Sequence, residues 1–127
     1  MKFARMVFSI AGIWGVAILT PLFFMYDRVG RQYPPALTHP EFYYGFVGVA
    51  LVWQIAFFVI ATDPTRFRPI MIPAVLEKFS YVVAIAILYS QGRLSLPQFV
   101  IGNGDLVLGI LFVAAFVKTS GPALRRS

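Results

Sequence analysis

Four apolar segments, each long enough to cross a bilayer as a helix, restrict the fold of this chain more than any other feature. They cover residues 3–26, 41–61, 69–90 and 97–117. A hydrocarbon core about 30 Å thick needs about 20 helical residues to cross it. A chain of 127 residues that is 59% hydrophobic and 13% charged cannot hide this surface in a soluble core. We predict an all-α integral membrane four-helix bundle, with residues 1–127 as a single domain.

Proline and capping patterns mark the ends of the predicted spans. Pro21 predicts a kink at the outer end of the first span. Thr38 with Glu41, and Ser95 with Gln98, have the spacing of capping boxes that start the second and fourth spans. Within the spans, small residues predict close helix packing at Gly12, Gly15, Gly45, Gly48 and Gly109.

The lysines and arginines predict the orientation. Seven lie on one side of the predicted topology: Lys2, Arg5, Arg66, Arg68, Lys118, Arg125 and Arg126. Three lie on the other side, in the first loop (residues 27–40) and in the 90–96 turn: Arg28, Arg31 and Arg93. The positive-inside rule then predicts that both termini are cytoplasmic.

The net charge of +6 has a related explanation. The basic residues stand singly or in pairs at the ends of apolar runs, which is the placement of topology signals and headgroup contacts. We therefore predict the lipid bilayer as partner, with other membrane subunits or further copies of the chain as additional candidates, and no nucleic acid.

The third span carries Glu77 and Lys78 side by side, and ionisable residues inside a membrane are costly and usually functional. At roughly 1.5 Å per residue, Glu77 and Gln54 both lie about 12 Å from the cytoplasmic ends of their spans, with Ser9 near that level. We predict a polar layer of these three residues, extended one turn outward by Tyr81. Lys78 is expected to extend toward the cytoplasmic headgroups. In the alternative, Glu77 is structural and satisfied by Gln54 or by Arg66.

A break in the fourth span is the second candidate site. Gly102, Asn103 and Gly104 precede Asp105 in the middle of an apolar run. Irregular backbone inside a membrane is tolerated where it is buried in protein or lines a cavity, which favours a ligand site here. Alternatively, Asp105 caps the restarting helix. Its depth predicts no direct contact between Asp105 and Glu77.

Two residue types limit the chemistry. The chain has no cysteine, and His39 is its only histidine. A lone histidine lacks partners for most metal sites, so we predict a surface residue and no metal. The chain also has no phosphate-binding loop and no zinc-protease, hydrolase or haem-attachment motif. No cofactor is predicted, apart from a bound lipid, quinone or pigment.

From YYGFVGVALVWQIAFFVIATDP through RFRPIMIPAVLEKFSYVVAIAILYSQGRL to GDLVLGILFVAAF, the chain resembles small four-span bacterial inner-membrane proteins of the DoxX-like type. That resemblance implies a four-helix bundle and, as in some members, a quinone- or oxidase-associated subunit. The order Asp63, Arg66 or Arg68, then Glu77 is similar to the EXPERA fold of sterol isomerases and sigma-type receptors, which implies a ligand cavity. The histidine and second glutamate of an active isomerase have no counterpart on the third helix.

Together these features favour a small inner-membrane protein that binds a hydrophobic ligand (lipid, quinone, isoprenoid or pigment) or serves as a non-catalytic accessory subunit. The predicted ligand contacts are Glu77, Gln54, Trp53, Tyr81, Asn103 and Asp105. The alternative is a membrane-embedded acid–base isomerase or cyclase acting on an isoprenoid or sterol-like substrate. Glu77 would then exchange a proton and Asp105 would stabilise positive charge. Proton-coupled transport would use the same two acids and would require an oligomer.

Overall fold

Four helical stretches of 23 residues each make up most of the structure. The computed structural model describes residues 2–120, so Arg125 and Arg126, which contribute to the predicted orientation, lie outside the described residues. The stretches Lys2–Phe24, Pro40–Thr62, Arg68–Ser90 and Leu96–Lys118 are long and apolar enough to cross a membrane. The described residues contain no strand. The predicted all-α bundle of four spans is confirmed.

Shorter elements lie within and between these stretches. The α-helices are α1 (Lys2–Leu19), α2 (Tyr26–Gln32), α3 (Pro40–Thr62), α4 (Met71–Ser90), α5 (Leu96–Gly102) and α6 (Gly104–Lys118). Two 3₁₀ segments, Thr20–Phe24 and Arg68–Ile70, extend α1 at its end and α4 at its start. The fourth span therefore consists of two helices, α5 and α6, separated at Asn103.

Proline and a capping box set two of these boundaries as predicted. The α-helical part of the first span ends at Leu19, and Pro21 stands in the 3₁₀ segment that follows. Ser95 caps α5 in a complete capping box. Its Oγ accepts from the Gln98 amide at 3.4 Å, and Gln98 Oε1 accepts from the Ser95 amide at 3.2 Å.

The predictions for the first loop were partly wrong. Residues 26–32 form helix α2, because the breaking prolines come only after them. The Thr38 capping box is absent: α3 has His39 at its N-cap, and no side chain caps it. Glu41 Oε1 lies instead 3.3 Å from His39 Nδ1 in an exposed pair. His39 is exposed, as predicted.

The bundle does not pack its helices in simple chain order. Helix α1 packs against both α3 and α6, and α6 also packs against α4. Helices α3 and α4 are consecutive and joined by a short connection, yet they scarcely touch. Helices α3 and α4, although neighbours in sequence, therefore form the two sides of an opening.

The buried core lies at one end of the bundle. Phe8, Phe57 and Phe112 form its centre and are completely buried. The Phe8 and Phe112 rings stack with centroids 4.3 Å apart, and Phe57 meets Phe112 edge-on at 4.9 Å. Around them lie residues from the first half of α1, the ends of α3 and α6, and the start of α4. This end carries the connection between α3 and α4, and it closes the bundle there.

Three of the predicted packing glycines, Gly12, Gly15 and Gly109, mark close approaches of neighbouring residues, and a Cβ atom at Gly15 would overlap the Gln54 side chain of α3. A Cβ atom at Gly12 would lie 2.6 Å from the ring of Phe58, on the facing helix α3. A Cβ atom at Gly109 would lie 3.0 Å from the ring of Phe79 on α4. All three positions confirm the expectation that small residues let neighbouring helices approach.

The same prediction was wrong for Gly45 and Gly48. A Cβ atom at Gly45 would have no neighbour within 4 Å, and one at Gly48 would only touch the Phe23 ring at 3.9 Å. Both glycines lie in the half of α3 that is remote from the aromatic core. Spacing alone predicted a helix contact in a region where α3 and α4 diverge.

Candidate functional site

A cleft of about 740 Å³ occupies the half of the bundle opposite the aromatic core. It lies between α3 and α4, with the second half of α1 behind it and the break between α5 and α6 at its side. Most of its walls are apolar or aromatic: Trp14, Ile18, Leu19, Leu22, Phe46, Val49, Ala50, Trp53, Ala84 and Ile101. Several of these side chains remain half exposed, so the cleft opens sideways between α3 and α4.

The end of the cleft nearest the core, its floor, is polar. Gln54, Glu77, Lys78 and Asp105 all line it. Of the six predicted ligand contacts, Gln54, Glu77 and Asp105 lie at this floor, and Trp53 and Tyr81 lie in the walls. Ser9, expected in the same layer, does not line the cleft.

Lys78 does not extend to the headgroups, and that prediction was wrong. It is 5% exposed, and its Nζ lies 3.4 Å from Asp105 Oδ1 and 3.6 Å from Glu77 Oε2. Its Cβ faces Gly109, where the missing side chain leaves room for the lysine chain beside α6. Glu77 and Asp105 are therefore linked through one ammonium group, which the depth comparison had not predicted.

Gln54 is the most deeply buried polar residue of the floor. It is 1% exposed, and Gly15 on α1 faces its amide so closely that a Cβ there would overlap it. Gln54 Nε2 donates to the Ala50 carbonyl at 2.7 Å. Its Oε1 has no hydrogen-bond partner among the described residues. Oε1 is therefore a buried acceptor that packs against Gly15 of α1 without a hydrogen bond.

Glu77 adds a second acceptor. Its Oε2 is buried and makes no hydrogen bond within residues 2–120, since the contact with Lys78 Nζ at 3.6 Å is electrostatic. The structural alternative required Gln54 or Arg66 to hydrogen-bond to the Glu77 carboxylate. Within residues 2–120 neither residue makes this bond. Ser80 instead donates to the Glu77 backbone carbonyl at 3.0 Å.

The helix break is confirmed at Asn103, and it shapes one side of the cleft. Gly102 and Gly104 line the cleft, whereas Asn103 turns away and donates from Nδ2 to the Phe99 carbonyl at 2.7 Å. Asp105 lies in the first turn of α6 and reaches Lys78, so it does not cap the helix. Asn103 is therefore the one predicted ligand contact that the structure places outside the cleft.

Tyr81 narrows the opening between α3 and α4. Its ring stacks against Phe46 of α3 with centroids 6.5 Å apart. The two residues face each other from the two helices that otherwise scarcely touch. Phe46 was missed by sequence reasoning, because one phenylalanine among thirteen carries no signal of its own.

The described residues hold no group of three or more His, Asp or Glu side chains that could bind a metal ion. The arrangement defines the class of protein: a multi-pass helical membrane protein with a lateral, polar-floored cleft. No protein-family model matches the chain, and no curated protein or solved structure is significantly similar to it. The resemblances to DoxX-like and EXPERA proteins stay predictions.

Proposed function

We propose that this is an inner-membrane protein that binds a hydrophobic ligand of the lipid, quinone, isoprenoid or pigment type in the cleft between α3 and α4. The cleft itself carries the proposal. Its volume of about 740 Å³ lies within the range of small-molecule sites, roughly 300–1,000 Å³. Such sites combine apolar walls with a few polar groups that orient the ligand.

The position of the opening supports a ligand that arrives from the bilayer. The cleft opens between two membrane-spanning helices and not through a polar loop. A long apolar molecule therefore enters it without leaving the hydrocarbon phase. The break at Asn103 lies beside the cleft, where irregular backbone is expected to line a cavity.

The proposal is tested by identifying the lipids and other small molecules that co-purify with the protein. Ala84 and Ala86 are both exposed alanines of α4, but only Ala84 lines the cleft. Ala84→Phe places a ring in the cleft, and Ala86→Phe places the same ring on the outer surface. Mass spectrometry of lipid extracts should find a bound molecule in the wild type and in Ala86→Phe, and strongly depleted in Ala84→Phe.

Two results would contradict the proposal. One is an equal lipid content in all three proteins, which would mean that the extracted molecules only cover the outer surface. The other is a stoichiometric protein partner in place of any ligand, which would favour the accessory-subunit reading. Native mass spectrometry of the complex separates the two results.

One observation favours acid–base catalysis as a second candidate. Glu77 and Asp105, the two carboxyl groups that line the cleft, contact the same ammonium group at its end. An enzyme on an isoprenoid or sterol-like substrate would lose turnover in Glu77→Gln while ligand binding persists. Persistent turnover in that variant would exclude Glu77 from the chemistry.

A further inference from the structure

We infer that the cleft receives the hydrocarbon chain of a lipid from one leaflet only. This is the leaflet on the side of the turn between α4 and α5, residues 91–95, and we call it the turn-side leaflet. The inference rests on the proposed ligand-binding function and adds to it the source of the ligand. With the predicted orientation, the turn-side leaflet faces away from the cytoplasm.

The cleft lies almost entirely on one side of the bilayer midplane. Each span has 23 residues and is about 34 Å long at 1.5 Å per residue, so its middle lies about 17 Å from either end. The lining residues nearest to the core end are Gln54 and Glu77, roughly 12–14 Å from the core ends of their spans. The farthest, Leu22, lies about 30 Å from the start of the first span. The floor is therefore near the midplane, and the cleft extends from it through the turn-side leaflet.

The aromatic core closes the cleft toward the other leaflet, the core-side leaflet. Phe57 follows Gln54 by one helical turn toward the core end and is completely buried. Lys78 Nζ lies 5.2 Å from the centroid of the Phe57 ring, so the floor is in contact with the core. Rings packed at the density of a protein interior leave no room for a hydrocarbon chain. A chain that crossed the floor would also have to separate Lys78 from Glu77 and Asp105.

The lateral opening also lies beyond the midplane. On its α3 side, Phe46 and Val49 line the cleft and are 51% and 63% exposed. They lie about 24 Å and about 20 Å from the core end of α3. In the core half, buried side chains of α3 and α4 fill the space between the two helices. A lipid chain of the turn-side leaflet therefore meets the opening, whereas a chain of the core-side leaflet meets packed side chains.

A phosphatidylcholine with a diazirine at the end of one acyl chain tests the inference, because its head group keeps it in one leaflet. The full chain is reconstituted at one copy per vesicle, and the two orientations are separated by capture of an N-terminal tag. Cyclodextrin exchange places the probe in the external leaflet, and peptide mass spectrometry locates the crosslinks after irradiation. Ala50 and Ala84 report on the cleft, while Val52 and Leu76 report on the lipid-facing surface near the midplane.

Crosslinks at Ala50 and Ala84 should form from the turn-side leaflet and fall to background from the core-side leaflet. Val52 and Leu76 should be labelled from both leaflets, since the chain ends of both leaflets meet near the midplane. Ala84→Phe fills the cleft and should reduce the labelling of Ala50 to background. Ala86→Phe places the same ring on the outer surface and should leave the labelling of Ala50 unchanged.

The outcomes separate the two proposals. Equal labelling of Ala50 from both leaflets, abolished by Ala84→Phe, refutes the restriction to one leaflet and leaves the ligand-binding function standing. Absence of cleft labelling from either leaflet, together with no co-purified lipid, refutes the function itself. A head-group quencher checks that the probe keeps its leaflet. Loss of this asymmetry with the wild type but not with Ala84→Phe would show that lipids cross the floor, against the inference.

Discussion

Replacing Lys78 with methionine tests the central electrostatic feature of the bundle. The change keeps a long apolar chain and removes only the ammonium between Glu77 and Asp105. At 3.4 and 3.6 Å, each ion pair has a gross attraction of about 5 kcal/mol at an effective dielectric constant of about 20. Desolvation offsets most of this, and removing one partner of a buried pair costs about 3–5 kcal/mol.

How far the two carboxylates are exposed decides where in the range of 3–5 kcal/mol the loss of unfolding free energy should fall. Glu77 and Asp105 keep 23% and 24% of their side-chain surface exposed and line the cleft, so the two carboxylates are only partly buried. We therefore expect Lys78→Met to lower the free energy of unfolding by about 3 kcal/mol, the lower end of the range. Denaturation with sodium dodecyl sulfate in mixed micelles, followed by circular dichroism, measures this.

Lys118→Met is the matched control, because it makes the same chemical change at an exposed position. Lys118 Nζ lies 4.2 Å from the Phe3 ring centroid, a contact that contributes about 0.5–1 kcal/mol. Adding Glu77→Gln and Asp105→Asn to Lys78→Met removes the unpaired charges and should restore most of the stability. If Lys78→Met is no less stable than Lys118→Met, Lys78 is not buried between the two acids.

Three further substitutions test the packing and the capping. Phe8→Ala empties a completely buried position in the aromatic core and should cost about 3–5 kcal/mol of unfolding free energy. Ser95→Ala removes the capping hydroxyl of α5 and should cost about 0.5–2 kcal/mol. Gly15→Ala places a methyl group against the Gln54 amide and should both destabilise the fold and weaken ligand binding. Chemical unfolding measures the stabilities, and lipid titration measures the binding.

Each of these variants has a matched control that makes the same kind of substitution at a position where we expect little effect. Phe24→Ala alters a ring that is 85% exposed, and Ser90→Ala alters a hydroxyl that bonds only within its own helix end. Gly45→Ala adds a methyl group with nothing within 4 Å, and a helical alanine is favoured over glycine by roughly 0.5–1 kcal/mol. Equal losses within any pair would contradict the packing described for that position.

The spans were predictable from sequence because hydropathy and helix breakers act locally. The first, second and fourth apolar runs end at the charged residues Asp27, Asp63 and Lys118, and the Ser95 capping box and the Asn103 break are encoded by neighbouring residues. The separation of α3 and α4, the two sides of the opening, was not predictable from the sequence. A short connection between α3 and α4 suggests that they pack together, whereas their separation depends on how both pack against α1 and α6.

The direction of the Lys78 side chain was also not predictable from the sequence, because it too depends on how the helices pack. A lysine near a predicted cytoplasmic helix end is expected to extend to the headgroups. Its actual direction depends on the rotation of α4, on the space above Gly109 and on an acid twenty-seven residues later in the chain. Sequence spacing identified Glu77, Gln54 and Asp105 as candidates, but it could not identify the residue that links the two acids.

The uneven packing of α3 and α4 has a mechanical consequence. The two helices share the buried core at the end that carries their short connection, through Phe57 and Ile60 of α3 and Met71 and Ala74 of α4, and they have few contacts with each other. Changing their separation at the open end breaks few interactions, so the stiffness of the bundle decreases from one end to the other. The entrance can widen for a bulky molecule while Phe8, Phe57 and Phe112 keep their contacts.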